Sequence, residues 1–344
     1  MITVLNFCNH DRDQALNLLR WIGELGGVSG HELILQGTQQ VAREGLHTEL
    51  ISEAKKSFAS VEYFMPYTED ERGWPQSPNH AWQECVIHMR ELFAKRPAGS
   101  ITPAWLWIEP DCVPLRSTWL DELEDGYKKA GKPFFAAEVL HPRRRLSGIA
   151  IYPAMVNSYL MKRRMSDLSL RSEKGEAWDV YFSPEWIEFT HFTNLIQNTL
   201  FQSRNPDSLP TFSDHDSMSL IHPAACLFHR CKDRTLIDRL RAQMEQNKRI
   251  DAASVAISTN GSGGSGSLPE IDAEKESLRQ QLEEMKRRLE AHQPPAPVAP
   301  AAVVEPPKRS YGKRIKQKRV RTPEQIAADH ERMAKVRAGR KVAA

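Results

Sequence analysis

The stretch Trp105-Leu106-Trp107-Ile108-Glu109-Pro110-Asp111 is an apolar, aromatic run that stops at two carboxylates spaced one residue apart. In a strand, residues i and i+2 point to the same face, so Glu109 and Asp111 are expected to converge on one cation at the end of a buried strand. Two hard oxygen ligands at a strand tip suit Mg²⁺ or Mn²⁺, with room left for phosphate oxygens. The alternative is an acidic turn after a core strand, and Pro110 and Pro114 fit a turn under either reading.

Outward from this run, short apolar strands alternate with helical patterns. Residues 2–7, 31–36, 60–65, 102–108, 132–139 and 146–152 read as strands. Asp11 and Asp13 precede a helix carrying Ala15, Leu16, Leu18, Leu19, Ile22 and Leu25, which Gly26-Gly27 ends. Asn79 reads as the cap of a helix through about Ala94, and Ser117 opens one carrying Trp119, Leu120 and Leu123. Such alternation predicts an α/β layer structure with a mostly parallel sheet flanked by helices. Ligands of such sheets collect beyond the carboxyl ends of the strands, where Glu109 and Asp111 lie. Later, Ala224-Ala225-Cys226-Leu227-Phe228 is a short apolar strand, and a helix from about Thr235 to Asn247 closes a body of residues 1–250.

Beyond the body the composition changes. Residues 251–270 form a Gly/Ser-rich linker. In 271–292, Ile271, Leu278, Leu282, Met285 and Leu289 make a heptad seam. A seam over 271–289 suits self-association into a homo-oligomer or docking on a partner helix; the alternative is a single solvated helix. Residues 293–307 are a Pro/Ala linker, and 308–344 form a basic tail with 13 Lys/Arg against 3 Asp/Glu. The overall charge of +3 thus divides into −7 on residues 1–307 and +10 on the tail. A basic arm on a flexible tether suits sequence-independent phosphate binding, so nucleic acid is its expected partner. Solubility, assembly or an anionic membrane leaflet are the alternatives.

Other bulk properties narrow the class. With 344 residues and 40% hydrophobic content, the chain can bury a sizeable core. No apolar run approaches the ~18 residues of a membrane span. Met1 to Phe7 has no basic leader and reads as a first strand. Five scattered cysteines without a C-x-x-C pair argue against a disulfide framework or a zinc site and fit a reducing cytoplasm.

Four further pieces surround the carboxylates with chemistry. Cys8-Asn9-His10-Asp11-Arg12 is a polar loop after the first strand, placed to hold a nucleoside, or an N-cap cluster for the next helix. Its lack of glycine counts against nucleotidyl transfer, which shares the sheet and the metal. Gly73-Trp74-Pro75-Gln76-Ser77-Pro78-Asn79 joins a glycine, an aromatic platform and an amide, suited to a ring or ribose, or is an ordinary Pro-rich turn. In Ser147-Gly148-Ile149-Ala150-Ile151-Tyr152-Pro153, Gly148 permits close approach of a ligand. The preceding Arg143-Arg144-Arg145 would neutralise phosphates or decorate a loop. Finally, His229 and Lys232 follow a short strand. A His can complete a metal shell begun by two carboxylates, and a Lys three residues on can stabilise a diphosphate leaving group; the alternative is a structural His.

Taken in order, strand one with its polar loop, Glu109-x-Asp111, Ser147-Gly148-Ile149-Ala150-Ile151-Tyr152-Pro153 and His229-x-x-Lys232 resemble the GT-A (Rossmann-like) fold of nucleotide-sugar glycosyltransferases. The Gly-Trp-Pro…Asn and Phe-His-x-x-Lys-Asp stretches are similar to glycosyltransferase-like proteins of tailed bacteriophages. The resemblance covers about residues 1–240, and Glu109 replaces the first Asp of the family's D-x-D triplet. It implies that Glu109, Asp111 and His229 hold Mn²⁺ or Mg²⁺ on a nucleotide-sugar donor and that Lys232 stabilises the leaving nucleotide. It implies donor contacts from Asn9, His10, Asp11, Gly73, Trp74, Asn79 and Gly148. Under inversion Asp179 is the candidate base, with Glu185 behind it; the alternative for Asp179 is a turn or cap. A phage-encoded enzyme with a DNA-binding tail would act in the host cytoplasm, with a hydroxymethylated DNA base as acceptor. The competing expectation is a non-catalytic nucleic-acid-binding or virion-associated protein on a degenerate transferase fold.

Overall fold

Strands whose residues are apolar without alternation must be covered on both faces, as happens inside a largely parallel sheet. β1 (Ile2–Phe7) and β4 (Ala104–Ile108) are of this kind, and every β4 residue is buried. The structure, a computed structural model, describes residues 1–66, 73–97, 99, 102–140, 143–198, 212 and 216–260. These fall within the first of two compact units, Met1–Gly263 and Gly264–Ala344. The heptad seam of 271–289, the Pro/Ala linker and the basic tail lie outside the described residues.

From β1 the chain runs through α1 (Arg12–Leu25), β2 (Glu32–Gly37), α2 (Gln39–Arg43), α3 (His47–Ala54), β3 (Ser60–Phe64) and α4 (Gln76–Lys95) to β4. Then come β5 (Val113–Pro114), α5 (Trp119–Ala130), β6 (Phe134–Val139), the long β7 (Arg145–Pro153), α6 (Leu168–Ser172), α7 (Trp178–Trp186) and β8 (Thr190–Phe192). The described body closes with β9 (Ile196–Gln197), β10 (Leu227–Phe228) and α8 (Thr235–Asn260). α8 runs on past Asn247, where the sequence pattern placed the end of the helix, and takes in the start of the stretch expected as linker.

Seven strands form one sheet in the order β3-β2-β1-β4-β7-β6-β8. β3, β2, β1 and β4 are mutually parallel, β7 is antiparallel to both its neighbours, and β8 is parallel to β6. The expected mostly parallel α/β sheet is therefore present, with one reversed strand beside β4. A second sheet, β5-β10-β9, is small but decisive for the site.

The core over β4 and β7 is aromatic. Trp105 and Trp107 alternate onto one face, where Trp105 stacks on Tyr152 at 4.9 Å and Trp107 meets Trp178 edge-on at 5.8 Å. Trp82 of α4 and Trp186 of α7 complete the layer, with Trp186 stacked on Phe134 at 4.9 Å. Each such ring contributes roughly 2–3 kcal/mol through burial alone.

The reading of Asn79 as the cap of its own helix is corrected. Asn79 lies inside α4, and its buried amide serves α7 instead. Its Oδ1 accepts from the Trp178 N–H at 2.7 Å, an amide of the first helical turn with no partner in its own helix. Its Nδ2 donates to Ser172 Oγ at 2.7 Å and to the Glu176 carbonyl at 2.8 Å. Asn79→Ala would leave these buried groups unpaired, and we expect a loss of about 2–4 kcal/mol. Thermal melting should show it as a fall of roughly 5–15 °C.

Candidate metal and substrate site

Backbone pairing delivers the distant half of the site. β10 is antiparallel to β5, with Leu227 opposite Pro114 and Phe228 opposite Val113. The chain leaving β10 must then pass the turn that follows β4. The Cys231 N–H donates to the Asp111 carbonyl at 2.9 Å, and Gln14 of α1 donates through Nε2 to the Cys231 carbonyl at 2.8 Å. Trp21 of α1 donates to the Pro114 carbonyl at 2.8 Å, which holds β5 itself. Lys232 thereby meets a residue 121 positions earlier in the chain.

Glu109 and Asp111 do not converge by strand alternation. β4 ends at Ile108, and both carboxylates sit in a tight turn closed by the Cys112 N–H on the Glu109 carbonyl at 3.0 Å. The turn aims both at His229: its Nε2 lies 3.1 Å from Asp111 Oδ1 and 3.5 Å from Glu109 Oε2. Lys232 Nζ donates to Asp111 Oδ2. The Asp111 side chain is only 4% exposed, and its Oδ1 meets the His229 imidazole in an ion pair at 3.1 Å rather than in a well-aligned hydrogen bond.

Electrostatics follow from this packing. Burial pushes the Asp111 carboxyl up, but the charges of His229 and Lys232 outweigh it and hold it well below the usual carboxylate range. Burial opposes a charge on His229, yet Asp111 and Glu109 raise its pKa to about 9. On its other side Nδ1 lies 2.5 Å from Asn198 Oδ1, an acceptor, so Nδ1 carries a proton and Nε2 is the nitrogen turned to the carboxylates.

Asp111 and His229 fit two neighbouring ligands of a hard divalent cation, while Glu109, although 3.5 Å from His229 Nε2, lies outside the group of candidate ligand atoms that are all within 4.8 Å of one another. Ligand atoms at adjacent corners of an octahedral shell of radius ~2.1 Å lie roughly 3 Å apart, close to the separation of Asp111 Oδ1 from His229 Nε2. A buried carboxylate oxygen without a well-aligned hydrogen bond is what such an ion would occupy. The Cys112 thiol, next in sequence to Asp111, also falls in a group with Asp111 and His229 whose ligand atoms lie within 4.8 Å of one another. Burial drives that thiol's pKa well up, which keeps it protonated and disfavours it as a ligand.

These groups border a cavity of about 480 Å³ that crosses the sheet from the end of β1, past β4, to the start of β7. Of the residues anticipated from sequence, it brings together Asp11, Trp74, Glu109, Asp111, Gly148, Asp179, His229 and Lys232. Asn9, His10, Gly73 and Asn79 are not among its lining residues. Asn9 and His10 sit in the 3-10 turn leading to α1. At Gly148, which lines the cavity, a Cβ would meet Trp178 Cζ2 at 3.2 Å, so the missing side chain also makes room for that indole. Asp179 lies in the first turn of α7, with Oδ2 on Arg145 Nη1 and Oδ1 on the Val180 N–H at 2.9 Å. Burial pushes its carboxyl pKa up, against the pull of Arg145. Glu185 is occupied elsewhere, accepting from the Met161 and Lys162 N–H groups at 2.7 and 3.0 Å. The sequence reading missed Asn198 and Arg230, and saw Arg145 only as one of three loop arginines. The position of Arg230 between His229 and Lys232 was the one available signal.

The His229 shift has a measurable consequence. Its folded pKa lies above the unfolded value near 6.5, so the stability from its charge is complete below that pH and is lost as pH rises through about 9. In chelator-treated protein we expect melting temperature to fall across this window, and His229→Gln to flatten the fall. A bound cation would displace the same proton, so Mn²⁺ affinity should rise with pH up to about 9 and then level.

No protein-family model matches the sequence, and no curated protein matches it. Among solved structures, the chain is similar to mouse xyloside xylosyltransferase 1 in its apo form, at 11% identity and a TM-score of 0.40, over 67% of this chain and 97% of that one. It is similar to the galactosyltransferase LgtC in complex with donor and acceptor sugar analogues, at 10% identity and a TM-score of 0.40, over 70% and 94% of the two chains. It is also similar to the bifunctional glycosyltransferase WbbM, at 13% identity and a TM-score of 0.40, over 68% of this chain and 46% of that one.

Proposed function

We propose that the body is a metal-dependent glycosyltransferase of the GT-A kind, moving a sugar from a nucleotide-diphosphate donor to an acceptor hydroxyl. The observation that carries this reading is the buried Asp111 Oδ1, without a well-aligned hydrogen bond, facing His229 Nε2 beside Glu109 at the mouth of a cavity beyond β4. Glu109, Asp111 and His229 would hold Mn²⁺ or Mg²⁺, which when bound supplies Lewis-acid neutralisation of the diphosphate.

The chain's own groups do the rest. Lys232, its side chain 65% exposed beyond its bond to Asp111, brings an ammonium to the oxygens on which negative charge builds as the sugar departs. Trp74, 70% exposed and lining the cavity, offers a flat face to a base or sugar ring. Asp11 lines the β1 end, where a nucleoside hydroxyl would find a carboxylate. Asp179 lines the cavity, held by Arg145 on Oδ2 and by the Val180 N–H on Oδ1. Its burial-raised pKa favours accepting a proton from an acceptor hydroxyl.

Asp111→Asn tests the core of the reading. Mn²⁺ binding followed by electron paramagnetic resonance should weaken at least a hundredfold. Metal-dependent hydrolysis across a panel of UDP-sugars should fall by about 10²–10³. Wild-type binding and turnover in this variant, or no donor hydrolysis by the wild type, would sink the assignment.

For the acceptor, the charge of the tail points to a polyanion, with a hydroxymethylated DNA base as the specific candidate. A tethered basic arm raises the local concentration of the body at its polymer. Deleting 308–344 should weaken DNA binding and flatten its salt dependence, by about 0.9 in slope for each phosphate the arm neutralises, while leaving donor hydrolysis intact. An unaltered salt slope would exclude the arm as the DNA-binding element.

A further inference from the structure

The cavity holds more positive charge at its β7 end than the donor reading uses. Arg145 opens β7 and is 9% exposed. Its Nη1 is taken by Asp179, but its Nε is buried with no hydrogen-bond partner. Arg230 lines the same cavity, lies within electrostatic range of Arg145, Asp179, Asp111 and Glu109, and has no hydrogen bond or ion pair among the described residues. It is also the one non-glycine residue with a positive φ, 82°, among the described residues. A glycine would relax that backbone, whereas the arginine there places a guanidinium over the cavity.

The charge balance says what is missing. Asp11, Glu109, Asp111 and Asp179 face Arg145, Arg230 and Lys232 across the cavity. With His229 the cavity wall carries as many cationic as acidic side chains, but Arg145 is bonded to Asp179 and both His229 and Lys232 are paired with Asp111, so Arg230 is the cation of this wall that has no ion-pair partner among the described residues. A partly buried guanidinium that no carboxylate bonds directly attracts an oxyanion, which its planar fork of N–H groups suits.

We infer that Arg145 and Arg230 form an oxyanion subsite that takes a phosphate or carboxylate group carried by the sugar-side substrate, separate from the diphosphate held at Asp111. Its place in catalysis rests on the glycosyltransferase reading; its existence as a binding site does not. A neutral sugar substrate would leave the surplus guanidinium unpaired, so the subsite selects for an acidic sugar or a phosphorylated acceptor.

The full chain is the material for the test, with inorganic phosphate as the probe in isothermal titration calorimetry. Metal-free wild type should bind one phosphate saturably, and Arg230→Gln should bind it at least tenfold more weakly. Arg230→Gly guards against a folding artefact: it relaxes the φ of 82°, so it should melt no lower than wild type and still fail to hold phosphate. Arg230→Lys should keep part of the binding. In the Mg²⁺–UDP complex, phosphate should still bind. Glucose 6-phosphate or glucuronate should then displace it while glucose does not; which of the two competes better separates a phosphate source from a carboxylate source. Unchanged phosphate affinity in Arg230→Gln, loss of the phosphate on adding Mg²⁺–UDP, or equal competition by glucose would overturn the inference. If the metal and UDP fail to bind while the Arg230-dependent phosphate persists, the donor reading falls and the subsite stands.

Discussion

The buried carboxylate of Asp111 organises this molecule's chemistry. A charge that deep needs compensation, because burial by itself would drive the group towards its neutral form. The compensation comes from His229 and Lys232, and both reach Asp111 only because β10 pairs with β5 and the following loop bonds back to the Asp111 carbonyl. The small three-stranded sheet therefore serves both core and function: Val113 and Phe228 pack in a second apolar cluster with Trp21 and Leu236. It carries the C-terminal part of the body across the carboxyl end of β4 and fixes it there through backbone hydrogen bonds, while Gln14 and Trp21 of α1 tie the two segments to the main sheet.

The rest of the site depends on the same edge. β7 runs antiparallel to β4, so its first residue emerges beside the last turn of β4. Arg145 and Gly148 enter the cavity for that reason, and the absent Cβ at Gly148 lets the α7 residue Trp178 close in behind them. Asn79 accepts from the first N–H of α7 and donates to Ser172 of α6 and to the Glu176 carbonyl between the two helices. The cavity wall is thus set by one reversed strand, one glycine and one buried amide. These give a rigid frame on which the charged groups are spaced, as a site acting through electrostatics requires.

Much of this was legible in the chain because local rules decide it. The unbroken apolar runs of β1 and β4, the amphipathic spacing of α1 and the carboxylates after Ile108 follow from periodicity and side-chain type. Other features were not legible. Asn79 follows a Pro-rich loop and looks like a cap for the helix behind it, but the helix begins three residues earlier and the amide caps α7 instead. Asn9 and His10 are polar and close in sequence to Asp11, yet the turn after β1 leaves them off the cavity wall. Asn198 is an ordinary asparagine until the β9–β10 pairing sets it beside His229.

By itself the sequence determined the α/β alternation, the strand-end position of Glu109 and Asp111, and the division into an acidic body and a basic tail. Each of these is written in residue type and short-range spacing. Only the tertiary structure decided that a turn, rather than strand alternation, aims the two carboxylates. It alone placed His229 and Lys232 against Asp111 and left Arg145 and Arg230 facing one cavity. The reason is physical: these contacts join residues up to 121 positions apart, and long-range backbone pairing, which no local pattern encodes, puts them within bonding distance.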